Sequence, residues 1–167
     1  MTKKLFSIII ILCTSVVFGQ DIKFDEYFAD HTMRIDYHHT GHINMEVISV
    51  DKISKYGIWA GSRKNLIDNF NNGRYYVKVF DLKTDKLLYS KGFDSYFGEY
   101  KTSADGAKEI VKVFHEVSLI PFPKNKIKFA IERRNKNKVL EPFYETEIDP
   151  ADVMIIKDKI IDESVKV

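Results

Sequence analysis

His115-Glu116-Val117-Ser118-Leu119 is the one stretch of this chain that begins like a site of hydrolytic metal chemistry. A His-Glu-x-x-His segment on a helix puts two imidazoles on one face, where they hold zinc, and leaves the Glu to activate the bound water. Here Leu119 stands where the second imidazole is needed. The β-branched Val111, Val113 and Val117 and the Pro121-Phe122-Pro123 stop also disfavour a helix. The segment reads as a strand with His115 half exposed.

His38, His39 and His42 are the second candidate. On a strand His38 and His39 point to opposite faces and cannot share an ion without distortion. His42 lies beyond Gly41 and could approach either, with Asp36 or His31 completing a surface zinc site. Packed or solvated imidazoles near a turn are the simpler reading. Serine and threonine sit in no Gly-x-Ser-x-Gly elbow, and neither Gly57 nor Gly61 leads into a Gly-Lys-Ser/Thr phosphate loop. The pairs Asp25-Glu26 and Glu145/Glu147 read as solvated faces. No catalytic residue, metal ligand or cofactor is assigned.

Aromatic residues crowd the middle of the chain: Trp59, Tyr75, Tyr76, Tyr89 and Phe93, then Tyr96, Phe97 and Tyr100. Such rings pack cores, bind sugars and anchor protein interfaces. Most read as core. Tyr96-Phe97-Gly98 falls in an expected loop, so Trp59, Tyr96, Phe97 and Tyr100 form the candidate binding surface for protein or glycan.

These residues are spaced along short alternating segments. Phe24, Tyr27 and Phe28 suit a short helical turn that pins the start of the domain. Residues 33–39 and 45–50 alternate as a strand pair joined at Gly41, and 51–56 is polar. Gly57 to Gly73 is rich in Asn, Asp and Gly and reads as a loop. Residues 75–81 and 87–93 form the clearest hairpin, around Lys83-Thr84-Asp85-Lys86. Thr102 or Ser103 caps a short helix from Ala104. Residues 111–120, 127–133 and 139–148 follow as strands, with Pro142 marking an edge or a bulge. Residues 153–156 suit a last strand. The expected fold is all-β, an antiparallel β-sandwich of seven or eight strands with at most a short helix.

The chain has 167 residues, 44% of them hydrophobic and 30% charged, which suits one domain with its own core. Residues 1–19 resemble a secretory signal, with Lys3 and Lys4 before the apolar run Leu5–Val17 and small residues before Gln20. Cleavage there would give a secreted, periplasmic or cell-surface protein with no membrane span. It would also leave 24 basic against 24 acidic residues, since Lys3 and Lys4 are removed from 26, and no cysteine. A neutral chain has no field for nucleic acid. Residues 20–156 form the expected domain and 157–167 a linker.

Several motifs carry a resemblance. They are Arg34-Ile35-Asp36-Tyr37, His39-Thr40-Gly41, Gly57-Ile58-Trp59-Ala60-Gly61-Ser62-Arg63 and Tyr75-Tyr76-Val77-Lys78-Val79-Phe80-Asp81. Tyr89-Ser90-Lys91-Gly92-Phe93-Asp94 and Tyr96-Phe97-Gly98-Glu99-Tyr100 add to them. Together they resemble the N-terminal, non-catalytic domain of the bacterial IgA peptidase family of secreted zinc metallopeptidases. That resemblance implies a β-sandwich that accompanies, in cis, a separate catalytic domain carrying His-Glu-x-x-His. It implies no enzyme activity for this chain. The alternative is a free-standing secreted module that binds glycan or protein.

Overall fold

The computed structural model describes residues 22–157. The expected signal segment and nearly all of the expected linker lie outside them. The elements run α1 (Phe24–Tyr27), β1 (Phe28–His42), β2 (Met45–Tyr56), β3 (Tyr75–Asp81), β4 (Leu87–Phe93), α2 (Tyr96–Tyr100), α3 (Ala104–Ala107), β5 (Lys112–Pro123), β6 (Ile127–Arg134), β7 (Leu140–Ile148) and β8 (Ile156–Lys157). They form two four-stranded sheets, ordered β5-β1-β2-β8 and β4-β3-β6-β7. Every strand pair is antiparallel except the short β2·β8 contact. The all-β sandwich is as expected. Of the three one-turn helices, α1 and α3 fall where a helical turn and a capped short helix were expected, and α2 replaces an expected loop.

Alternation places the core. Met33, Ile35 and Tyr37 of β1, Val79 of β3, Ile120 of β5 and Phe129 of β6 are buried between the sheets. Each large apolar side chain so buried is worth about 1.5–3 kcal/mol. Tyr75, Tyr76 and Tyr89 also belong to the interior, as core packing of the aromatic run requires.

The first hairpin differs from expectation in two ways. β1 runs through Gly41 and turns at 43–44, and the polar residues 51–56 extend β2. The pairing steps from Asp36↔Lys52 to Tyr37↔Val50, so Asp51 is the extra residue of a β-bulge. The bulge resets the alternation of β2, while β1 keeps Met33, Ile35, Tyr37 and His39 inward; Asp36 is buried on the opposite face, under Arg34 and His115. Gly41 is held at φ +144°, and a Cβ there would sit 2.0 Å from the Met45 carbonyl oxygen. Proline is handled as expected at β7, an edge strand whose pairing with β6 shifts beside Pro142. β5, by contrast, continues through Pro121 to Pro123, which an edge strand tolerates.

The loop between β2 and β3 wraps the free edge of β4. Leu66 O accepts the Ser90 N–H at 2.9 Å, and Asp68 Oδ2 accepts the Gly92 N–H at 3.0 Å. This side of the second sheet is thereby screened from pairing with other chains.

Gly41→Ala is expected to lower stability by about 1–3 kcal/mol through backbone strain and the clash with Met45. Gly57→Ala, at φ +47° with nothing within 4 Å of the added carbon, is expected to cost about 1 kcal/mol or less. Urea unfolding of both variants checks the order, and equal midpoints would contradict the close approach at Gly41.

Candidate functional site

His39, read from the sequence as a packed or solvated imidazole, lies at the centre of a buried charge cluster. Its side chain is 1% exposed. Nε2 is 2.9 Å from Glu46 Oε1 and Nδ1 is 3.1 Å from Glu116 Oε2. With both nitrogens protonated the ring donates to both carboxylates. Glu46 also accepts from Tyr75 Oη at 2.7 Å, from Lys101 Nζ at 2.5 Å and from Arg133 Nη1 at 3.1 Å. Glu116 Oε1 takes the Phe97 N–H at 3.3 Å. Arg133 reaches on to Glu141 at 3.3 Å. Three cations thus face three carboxylates.

The strand period places each member. His39 and Glu116 point inward from β1 and β5, and Glu46 points inward from β2. Tyr75 and Arg133 reach across from β3 and β6 of the other sheet. The α2 turn closes the end of the sandwich: Ser95 accepts the Gly98 N–H at 2.9 Å, and Phe97 stacks on the His39 ring at 4.2 Å.

Burial disfavours the His39 imidazolium, but hydrogen bonds to Glu116 and Glu46 and the charges of both outweigh it, so its pKa is raised. For Glu46, burial raises the pKa, but bonds from His39, Lys101 and Tyr75 prevail and bring it down to about 2. Burial first, then the Glu46 charge, pushes the Tyr75 phenol upward. Burial and the Glu116 charge do the same to Tyr37. Both ring nitrogens of His39 are committed to carboxylates, so the ring can neither ligate a metal nor take a proton from substrate without breaking the cluster. This arrangement braces the two sheets.

The remaining histidines do not converge on His39. His115 and His38 are cross-strand neighbours on the outer face of the first sheet, their rings 5.7 Å apart. His115 Nε2 is 3.2 Å from Asp36 Oδ1, but Arg34 already grips both Asp36 oxygens, at 2.9 and 2.7 Å. That hydrogen bonding lowers the Asp36 pKa, against the opposing effect of burial. His42 Nδ1 accepts the Asn44 N–H, and His31 bonds the Gly57 carbonyl. Among the described residues no three His, Cys, Asp or Glu side chains are arranged to hold a metal. His115 is half exposed on a strand, as read from the sequence.

The four aromatic candidates separate. Phe97 is fully buried against His39. Tyr100 is 7% exposed, and its hydroxyl donates to the Ile110 carbonyl. Neither can face a partner, because the expected loop is the α2 turn and its rings pack inward. Tyr96 is 75% exposed on that turn. Trp59 belongs to a different surface, edge-on to Tyr89 at 5.9 Å, in a groove of about 1380 Å³ between the β2–β3 loop and β4.

Sequence reading missed Glu46, Glu116, Lys101 and Arg133. The signal available was an inward-phased charge on three amphipathic strands, which one sequence does not separate from an edge charge.

His39→Leu is expected to destabilise the domain by about 3–5 kcal/mol, because Glu116 loses its cationic partner while still buried. The His39 contribution is complete below the unfolded-state value of 6.5 and is lost as pH rises through the higher folded value. The Glu46 contribution is complete above 4.5 and is lost as pH falls toward about 2. Urea unfolding at a series of pH values should show the alkaline decline in the parent and not in His39→Gln. The same decline in both would contradict the assignment.

No curated protein shows significant similarity to the chain. The sequence pattern of the family described as "Peptidase M64 N-terminus" matches residues 23–145. That span runs from α1 into β7 and includes every member of the buried cluster. It agrees with the resemblance drawn from the motifs around Arg34, Gly57 and Tyr75. The chain therefore belongs to the Peptidase M64 N-terminus family.

Proposed function

We propose that this domain is an exported, non-catalytic accessory unit that packs, through the outer face of β5-β1-β2, against the peptidase domain of the same polypeptide. The family's place at the N-terminus of a peptidase supports a catalytic partner in cis. The observation that carries the choice of face is its exposed apolar surface. Val113, Thr40 and Val47 form one cross-strand row, and Val117 and Leu119 continue outward along β5. Val47 is 51% exposed, Val113 60% and Leu119 47%. The polar row of His115, His38 and Ser49 interrupts these side chains, and exposed apolar groups gathered on one sheet face support a protein contact there. Arg34, Asp36 and His115 sit amid it, already satisfied by one another, so covering them strands no lone charge. β8 lies at the other edge of this same sheet, so chain continuing past Lys157 starts beside the proposed contact.

The packing of His39 and the grip of Arg34 on Asp36 among the described residues support reading this domain as an accessory to the peptidase. Its contribution would be to hold the peptidase in position.

Amide exchange of the chain, alone and joined to an M64 peptidase domain, tests the contact. Slowed exchange in β5 and the first half of β2 is expected on joining. The double variant Val113→Lys/Val117→Lys alters two exposed positions, so the isolated domain should shift by about 0.5 kcal/mol or less. It should nevertheless abolish the slowing. Protection confined to other surfaces, or none at all, would contradict the proposal.

A further inference from the structure

We infer that the groove between the β2–β3 loop and β4 binds an extended acidic peptide segment. It lies at the free edge of the second sheet, apart from the β5-β1-β2 face, and does not depend on how that face is used.

Trp59, Phe70 and Tyr89 supply its ring surface, and Lys64, Lys86 and Lys91 line it with amines. Phe70 is 86% exposed, an unusual position for a phenylalanine with nothing to cover it. None of the three lysines has a carboxylate partner among the described residues. Lys86 Nζ meets only the Tyr27 hydroxyl, at 3.3 Å, and the ring of the same tyrosine. Asp68 is the one carboxylate in the lining, and its two oxygens are spent on the backbone N–H groups of Phe70 and Gly92, at 2.9 and 3.0 Å. The groove thus offers cations beside rings, and its complement is a ligand with carboxylates and apolar side chains.

The exposed ring of Phe70 argues for a polypeptide over an acidic sugar, because its complement is an apolar side chain. The β4 edge itself is closed, its Ser90 and Gly92 N–H groups taken by Leu66 and Asp68. An extended peptide lies along the groove by its side chains, carboxylates to the lysines and apolar groups to the rings. A saccharide has no apolar side chain to set on Phe70. The Asp68 carboxylate, held by its own loop, is not left for sugar hydroxyls.

The test is fluorescence anisotropy on the whole chain at low and physiological salt, with three probes. These are a labelled alternating Glu-Phe peptide, its Lys-Phe counterpart and a heparin octasaccharide. The acidic peptide is expected to bind at least about tenfold more tightly than the basic one, with affinity falling as salt rises. Lys64→Gln/Lys91→Gln should weaken it about tenfold, and Phe70→Ala, at an exposed site that leaves the fold intact, about fivefold. Lys83→Gln/Lys136→Gln, outside the groove, should leave it unchanged. Equal binding of both peptides, insensitivity to the groove variants, preference for the octasaccharide or no binding at all would each overturn the inference.

Discussion

A protonated imidazole held between two buried carboxylates is the constraint on which this sandwich is organised. His39 ties three strands of one sheet to one another through Glu46 and Glu116. Glu46 then reaches the second sheet through Tyr75 and Arg133. Apolar burial supplies most of the folding free energy, but it is non-directional and tolerates sliding of one sheet over the other. The charge cluster does not. Each carboxylate is costly to bury unless its partners stand in place, so one alignment of the sheets is favoured over its neighbours. The α2 turn is recruited by the same constraint, because its Phe97 N–H completes Glu116 and its ring covers the imidazole.

The same cluster settles what the interior does not do. Its residue types are those of an acid–base site, a histidine flanked by glutamates. Yet every one of these groups is satisfied by another member, and the centre is covered by Phe97 on one side and Tyr75 on another. Groups poised for catalysis need an open approach and an unspent proton donor or acceptor. Here that capacity is consumed by the fold. The surfaces proposed for other molecules therefore lie on its outside: the exposed face of β5-β1-β2, and a groove where aromatic rings stand beside amines that have no carboxylate partner among the described residues.

Much of the architecture was legible in the sequence because it rests on local signals. Alternation over 75–81 and 127–133 gave strands within a residue of their observed ends. Pro142 marked an edge strand beside a shifted register, and Ser103 caps the helix that begins at Ala104. The bulge at Asp51 was not legible, since a polar run in an edge-exposed strand looks like a loop. The α2 turn was missed because its stability comes from packing on His39 and from Ser95, not from helix propensity. His38 and His39 were placed on opposite faces by strand geometry alone. That His39 would be the buried one depended on Glu46 and Glu116, which lie 7 and 77 residues away in the chain. Pairings across that separation are tertiary facts, and no spacing rule reaches them.

Nitrogen-15 spectra of the His39 ring measure the central constraint most directly. Both ring nitrogens should report the protonated imidazolium at neutral pH, and the titration midpoint should lie above 6.5, the value of an unperturbed histidine. A neutral ring at pH 7, with a single protonated nitrogen and an ordinary midpoint, would contradict the bracketing of His39 by two charged glutamates.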